Sequence, residues 1–195
     1  MKYVLTFLTL AFCLVSSAQV SVGVRNNRYF YGAYCLKDHY VAALEQSVFS
    51  EDFGYQYMRG YAGYKGNIKS VEYGAYAYFG STFNRSYYSS GLIARAQWLI
   101  KKRFILKGSL NPHYDSAEGY STCWEGTAGV KTTSFLDIFA EYGDIPEYRL
   151  PEYRLKVGFK FHVGSLSVVP KLSLLLESGF REKSLRPIVD FNYTF

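Results

Sequence analysis

The chain reads as an all-β protein, a closed antiparallel up-and-down barrel of twelve strands, on three observations. Apolar and polar residues alternate with a period of two in segment after segment, which in an extended chain sends the two sets to opposite faces. Turn-forming residues punctuate those segments along the chain. After residue 18 no apolar run reaches the roughly 18 residues expected of a spanning helix, so any membrane crossing falls to strands. Composition agrees: 20 Tyr, 15 Phe and 17 Gly against only 5 Pro in 195 residues. The mean hydropathy of −0.09, despite 49% apolar residues, fits a wall with one greasy and one wet face, although a soluble β-sandwich reaches the same average.

The N-terminus carries Lys2, an apolar run from Val4 to Val15, and then Ser16-Ser17-Ala18. That is the layout of a cleaved export signal, so residues 1–18 are expected to be removed and 19–195 to form a single barrel domain. The run is about a dozen residues, short of the roughly 20 a membrane anchor needs. Cys13 offers a lipoprotein alternative in which its thiol is acylated, but Phe12 stands where that chemistry wants a small residue. Cys35 and Cys123 then remain. They are too few for a disulfide scaffold and read as small apolar residues, with a bridge between them left open. The net charge of +6 is mild, and the longest basic run is Lys101-Lys102-Arg103, which excludes nucleic acid as an evident partner.

The candidate strands are, in order, 19–25, 28–36, 39–49, 54–64, 67–79, 90–100, 103–113, 121–131, 134–142, 153–163, 166–177 and 187–195. Several segments reach the 9 to 11 or so residues that a tilted strand needs to cross a bilayer. Arg95 and Gln97 sit between Ala94, Ala96 and Trp98, and Lys107, Ser109 and Asn111 interleave with Leu106, Gly108 and Leu110. Further on, Lys156, Gly158, Lys160 and His162 alternate with Val157, Phe159, Phe161 and Val163, and Lys171, Ser173 and Glu177 with Leu172, Leu174 and Leu176. A helix would repeat its apolar residues at three and four instead. Tight turns at Lys37-Asp38, Lys65-Gly66-Asn67, Lys101-Lys102-Arg103, Thr132-Thr133 and Gly164-Ser165 alternate with connections at Asn26-Asn27, 50–53, 80–89, 114–121, 143–153 and 178–186. The asymmetry is that of a membrane barrel with short turns at one end and longer loops at the other. An even strand count returns both termini to one side. The short first hairpin leaves ten strands as an alternative, and eight as a more distant one.

Two irregularities stand out. Pro170 lies inside a strand pattern, where it removes a ladder hydrogen bond and predicts a bulge or local kink. The run Pro146-Glu147-Tyr148-Arg149-Leu150 recurs as Pro151-Glu152-Tyr153-Arg154-Leu155. Five is odd, so the repeat would reverse faces within one strand, and the first copy is expected in a loop.

At the C-terminus Val189, Phe191, Tyr193 and Phe195 alternate with Ile188, Asp190, Asn192 and Thr194, and the sequence ends on Phe195. This resembles the terminal strand of Gram-negative outer-membrane barrels of the small porin-like class, whose final aromatic is read by the barrel assembly machinery. The resemblance implies an outer-membrane location, outer-membrane lipid around the wall, and the assembly machinery as a partner through Phe195. By parity the outward aromatics gather near strand ends, with Phe79, Trp124 and Tyr142 toward the outer end and Trp98, Phe104, Tyr193 and Phe195 toward the inner.

The opposite parity collects the charges. Arg25, Arg95, Lys107, Lys131, Lys156, Lys160 and Lys171 stand against Glu45, Glu72, Glu125, Asp137, Glu141, Glu177 and Asp190 as lumen-lining candidates, with His162 beside them. Glu72 falls on the strand next to Arg95, Asp137 and Glu141 next to Lys156 and Lys160, and Lys171 next to Asp190, so a lumen braced by salt bridges is expected. The period also predicts that Val157→Lys is far costlier than Lys156→Val. The same groups admit a narrow channel with a basic stripe favouring anionic solutes, or a closed structural or interaction barrel with an envelope protein partner. An outer-leaflet lipid-modifying enzyme is a further alternative. His39, His113 and His162 are its only conventional bases, and no Gly-x-Ser-x-Gly elbow or triad spacing accompanies them. A soluble sandwich or accessory subunit of an envelope complex completes the set. Nothing in the spacing of His, Cys, Asp and Glu marks a metal or cofactor site.

Overall fold

The computed structural model describes residues 18–26, 28–47, 54, 56–144, 153–176 and 182–195. It is a closed barrel of twelve strands: β1 Ala18–Arg25, β2 Tyr29–Leu36, β3 Tyr40–Ser47, β4 Tyr57–Ile68, β5 Val71–Thr82, β6 Tyr88–Ile100, β7 Phe104–Asp115, β8 Gly119–Lys131, β9 Leu136–Asp144, β10 Arg154–Val163, β11 Leu166–Leu176 and β12 Glu182–Thr194. Each strand pairs antiparallel with its sequence neighbours, and β1 pairs β12 to close the cylinder. The end that holds Ala18 and Thr194 is called inner below, and the opposite end outer.

Register carries one set of faces around the whole wall. Arg25, Tyr29 and Ser47 share a row, as do Gln97, Lys107, Thr127, Glu141, Lys156 and Ser173, and these are interior positions. The exterior row between them carries side chains such as Leu92, Leu106, Leu110, Val157 and Leu172, all exposed. Exterior aromatics form two bands. Tyr114 and Tyr120 (4.9 Å between ring centroids) and Trp124 and Tyr142 (5.5 Å) sit near the outer end, and Tyr40 and Tyr64 (5.7 Å) and Tyr193 and Phe195 (4.8 Å) near the inner.

Several boundaries differ from the sequence-based expectation. Lys65-Gly66-Asn67 is not a turn: it continues β4, with Gly66 opposite Tyr73 and Asn67 opposite Glu72, and the chain reverses at Lys69-Ser70. Tyrosine-rich, glycine-spaced strands run on through a polar triplet because register partners in β5 complete the ladder. For the same reason the expected loops 80–89 and 114–121 shrink to 83–87 and 116–118. Pro170 brings no bulge. It stays opposite Val189, and the ladder to β10 passes from Gly158↔Lys171 to Phe161↔Val168 without a change of register; the shift lies instead at Leu175/Leu176. The first copy of the Pro-Glu-Tyr-Arg-Leu repeat, most of the 143–153 connection and the export segment before Ala18 lie outside the described residues.

The inner turns are tight enough to force left-handed backbone on ordinary residues. Lys37 and Asp38 have φ of 49° and 60°, and Lys101 and Lys102 have 49° and 58°, as two-residue hairpins twisted with their strands require. The backbone N–H groups of His39 and Arg103 close these turns onto Leu36 O and Ile100 O at 3.1 and 3.0 Å.

The closing seam is short, with four register pairs from Ser21↔Thr194 to Val24↔Phe191. Two interior contacts strengthen it. Tyr31 of β2 reaches past Gly23 of β1 to donate to Asn192 Oδ1 of β12 at 2.6 Å, and the N–H of Asn26 donates to Asp190 Oδ1 at 2.7 Å. A Cβ on Gly23 would stand 2.7 Å from the Tyr31 ring, so only glycine lets that side chain cross.

Candidate functional site

Interior side chains on β1 to β7 fill the outer half of the lumen. Glu45 Oε2 accepts from Arg59 Nη2 at 2.9 Å, from Arg25 Nη2 at 3.0 Å and from Tyr61 Oη at 2.5 Å. The Arg59 guanidinium lies over the rings of Tyr61 and Tyr78, 4.7 and 5.2 Å from their centroids, so one cation is shared between a carboxylate and two aromatic faces. Tyr78 donates to Asn111 Oδ1 at 3.3 Å, and Tyr57 Oη lies 2.6 Å from Ser89 Oγ. Glycine makes this packing possible: Tyr57 lies across Gly80, where a Cβ would collide with its ring. The result is dense packing on this side of the lumen, with Tyr57, Arg59 and Asn111 at 1%, 2% and 0% exposure.

Below and beside this plug lies a cavity of about 380 Å³ lined by seven basic and four acidic side chains. Lys156 Nζ sits 2.7 Å from Glu141 Oε1 and 3.6 Å from Glu125 Oε2, while Lys107 stands off Glu125 Oε1 at 3.9 Å. Lys171 pairs with Asp190 across β11 and β12 at 2.5 Å. Asp137, opposite both Lys131 and Lys160 in register, is taken by His162, whose Nε2 is 3.0 Å from its Oδ2. Among the described residues, Lys131 and Lys160 therefore line the cavity without an ion pair. Arg95 does the same, and its guanidinium lies 5.7 Å from the Tyr76 centroid.

The sequence-derived lumen set thus divides. Glu45 belongs to the outer plug and Arg25 to both plug and cavity; Arg95, Lys107, Glu125, Lys131, Asp137, Glu141, Lys156, Lys160, His162, Lys171 and Asp190 line the cavity. Glu72 is interior but does not pair with Arg95: register puts it opposite Gln97 and Arg95 opposite Gly74, over which Tyr76 folds. An aromatic ring occupies the space that the expected salt bridge would have used. Glu177 lies outside the described residues.

Sequence reasoning passed over Arg59, Lys65, Arg154 and Arg186, all interior by register. Their parity was visible, since Arg59 falls between Met58 and Gly60 in phase with Tyr57 and Tyr61. With these four and Asp115 counted, the near cancellation of interior charge gives way to a basic excess among the described residues. Cys35 and Cys123 are free and buried.

His113 is the base that a hydrolase would use. Its Nε2 lies 3.0 Å from Ser121 Oγ and its Nδ1 3.1 Å from the Asn111 carbonyl oxygen. Asp115 approaches at 3.8 Å, but on Nε2, the nitrogen that already faces the serine. In a charge-oriented relay the acid holds the other nitrogen, so this carboxylate does not orient the ring for proton transfer from Ser121.

No protein-family model and no curated protein matches this sequence. Solved structures do. One described as KdgM porin in complex with disordered oligogalacturonate aligns with a TM-score of 0.61 at 10% identity, over 92% of this chain and 99% of that one. A NanC porin structure in a rhombohedral crystal form aligns with a TM-score of 0.54 at 10% identity, over 91% and 98%. At this identity the likeness establishes the closed twelve-strand fold.

Proposed function

We propose that the chain is a porin-like outer-membrane channel whose interior favours anionic solutes. The observation that carries this reading is the internal cavity, where basic side chains outnumber acidic ones and, among the described residues, Arg95, Lys131 and Lys160 form no ion pair within 4 Å, Lys160 lying opposite an Asp137 that His162 holds. A cation that is not consumed by a neighbour remains available to a passing anion, and rings of Lys and Arg are how pores select anions. Support also comes from the neighbour described with an oligogalacturonate, an acidic saccharide. The greasy exterior and its two aromatic bands suit a bilayer. In this reading residues 1–18 direct export and are removed, Phe195 serves recognition by the assembly machinery, and lipid is the surrounding partner. Phe195 is 68% exposed, which leaves its ring accessible for that role.

The test is electrical. Purified barrel in a planar bilayer under a potassium chloride gradient should conduct with a reversal potential of the sign set by chloride, and Lys131→Gln with Lys160→Gln should reduce that preference. Cation selectivity would overturn the proposal. Absence of any current, with heat-modifiable gel migration intact, would favour a closed structural barrel.

A further inference from the structure

We infer that Lys156 sets the anion preference of the cavity by masking Glu125 and Glu141, an inference that rests on the function proposed above. The two carboxylates face the same space as the unpaired cations, and they would cancel them if left bare. Lys156 prevents this: it is 6% exposed and its Nζ lies between both acids, at 2.7 and 3.6 Å. Lys107 is the second cation in reach, held at only 3.9 Å from Glu125 and one row partner from Gln97 and Thr127. Removing Lys156 would draw Lys107 onto the bared acids. The cavity then loses two cations for one substitution, whereas neutralising Lys160, which among the described residues forms no ion pair because His162 holds Asp137, loses one.

Net charge alone predicts equal effects, because each substitution removes a single positive charge. The masking arrangement predicts unequal ones. The probe is galacturonate, titrated calorimetrically into refolded barrel in detergent, so that the readout does not need an open pore. Lys160→Gln should weaken binding about threefold and Lys156→Gln about tenfold, the scale of one and two partly screened charges. The triple variant Lys156→Gln, Glu125→Gln, Glu141→Gln should return to within about twofold of the parent. Should Lys156→Gln not fold, the double variant Glu125→Gln, Glu141→Gln decides the matter: it frees Lys156 and should tighten binding about threefold. Equal effects of Lys156→Gln and Lys160→Gln, or in the double variant either unchanged or weaker binding or the roughly tenfold tightening that two lost negative charges alone predict, would overturn the inference while leaving an anion site in place. A parent barrel that binds no galacturonate and shows no anion preference would instead remove the functional reading, and the inference with it.

Discussion

In the outer half of the lumen Tyr57, Arg59 and Asn111 are sealed from solvent, while in the inner half Arg95, Gln97 and Lys131 stand exposed to an open interior. Both halves follow the same alternation, so the period does not separate them. Their fillers do. The outer half pairs interior tyrosines with interior glycines, Tyr57 with Gly80 and Tyr31 with Gly23, and large rings occupy the volume that a missing side chain leaves; the inner half repeats this at Tyr76 and Gly74 on one wall. The inner half has long cations on neighbouring strands, which repel one another and hold their ends apart. A barrel of this strand number has room for an aqueous path, and the side chains decide at which level it is narrowed.

The largest expected effect tests that narrowing. Arg59→Ala removes a buried partner of Glu45 and two ring contacts, and should destabilise the barrel by about 3 to 5 kcal/mol, measured by urea denaturation with gel mobility as the readout. Where folded barrel is recovered, single-channel current should rise; unchanged current would show that the outer half is not the restriction.

Next comes the contrast between wall and lumen. Val157→Lys puts a charge on the exterior face and should cost about 2 to 4 kcal/mol, whereas Lys160→Val at the cavity should cost under about 1 kcal/mol. Yields of heat-modifiable folded protein compare the two, and equal tolerance would reverse the face assignment. Lys156→Val, which alternation alone ranks as mild, no longer belongs on the tolerated side, because two carboxylates depend on Lys156.

Glycine substitutions sharpen the comparison at smaller scale. Gly80→Ala pushes against the Tyr57 ring and should cost about 1 to 3 kcal/mol. Gly108→Ala, on the exterior with nothing within 4 Å of the new atom, should change the denaturation midpoint little; a comparable loss at both would mean that Tyr57 has other room to move. Smallest among the changes with a definite sign, Lys102→Gly relieves left-handed backbone at an inner turn and should gain under about 1 kcal/mol once the added chain entropy of glycine is set against it, read from the same midpoint.

The strand count and the even topology were legible because each segment carries its own local period of two between turn signals. Charge partners were legible where register happened to place them directly opposite, as with Lys156 and Glu141. They were not where a third side chain intervened, as Tyr76 does between Glu72 and Arg95. The continuation of β4 through Lys65-Gly66-Asn67 was hidden because turn residues and paired strand residues look alike until the neighbouring strand is in place.

By itself the sequence determined an alternating chain with a greasy exterior, a charged interior and termini on one side. Only the tertiary structure decided that the outer lumen is packed around Arg59, that His162 takes Asp137 from Lys160, and that Lys156 covers two acids. Alternation is a property of one strand, whereas filling and partner choice depend on what several strands bring to the same level of a closed cylinder.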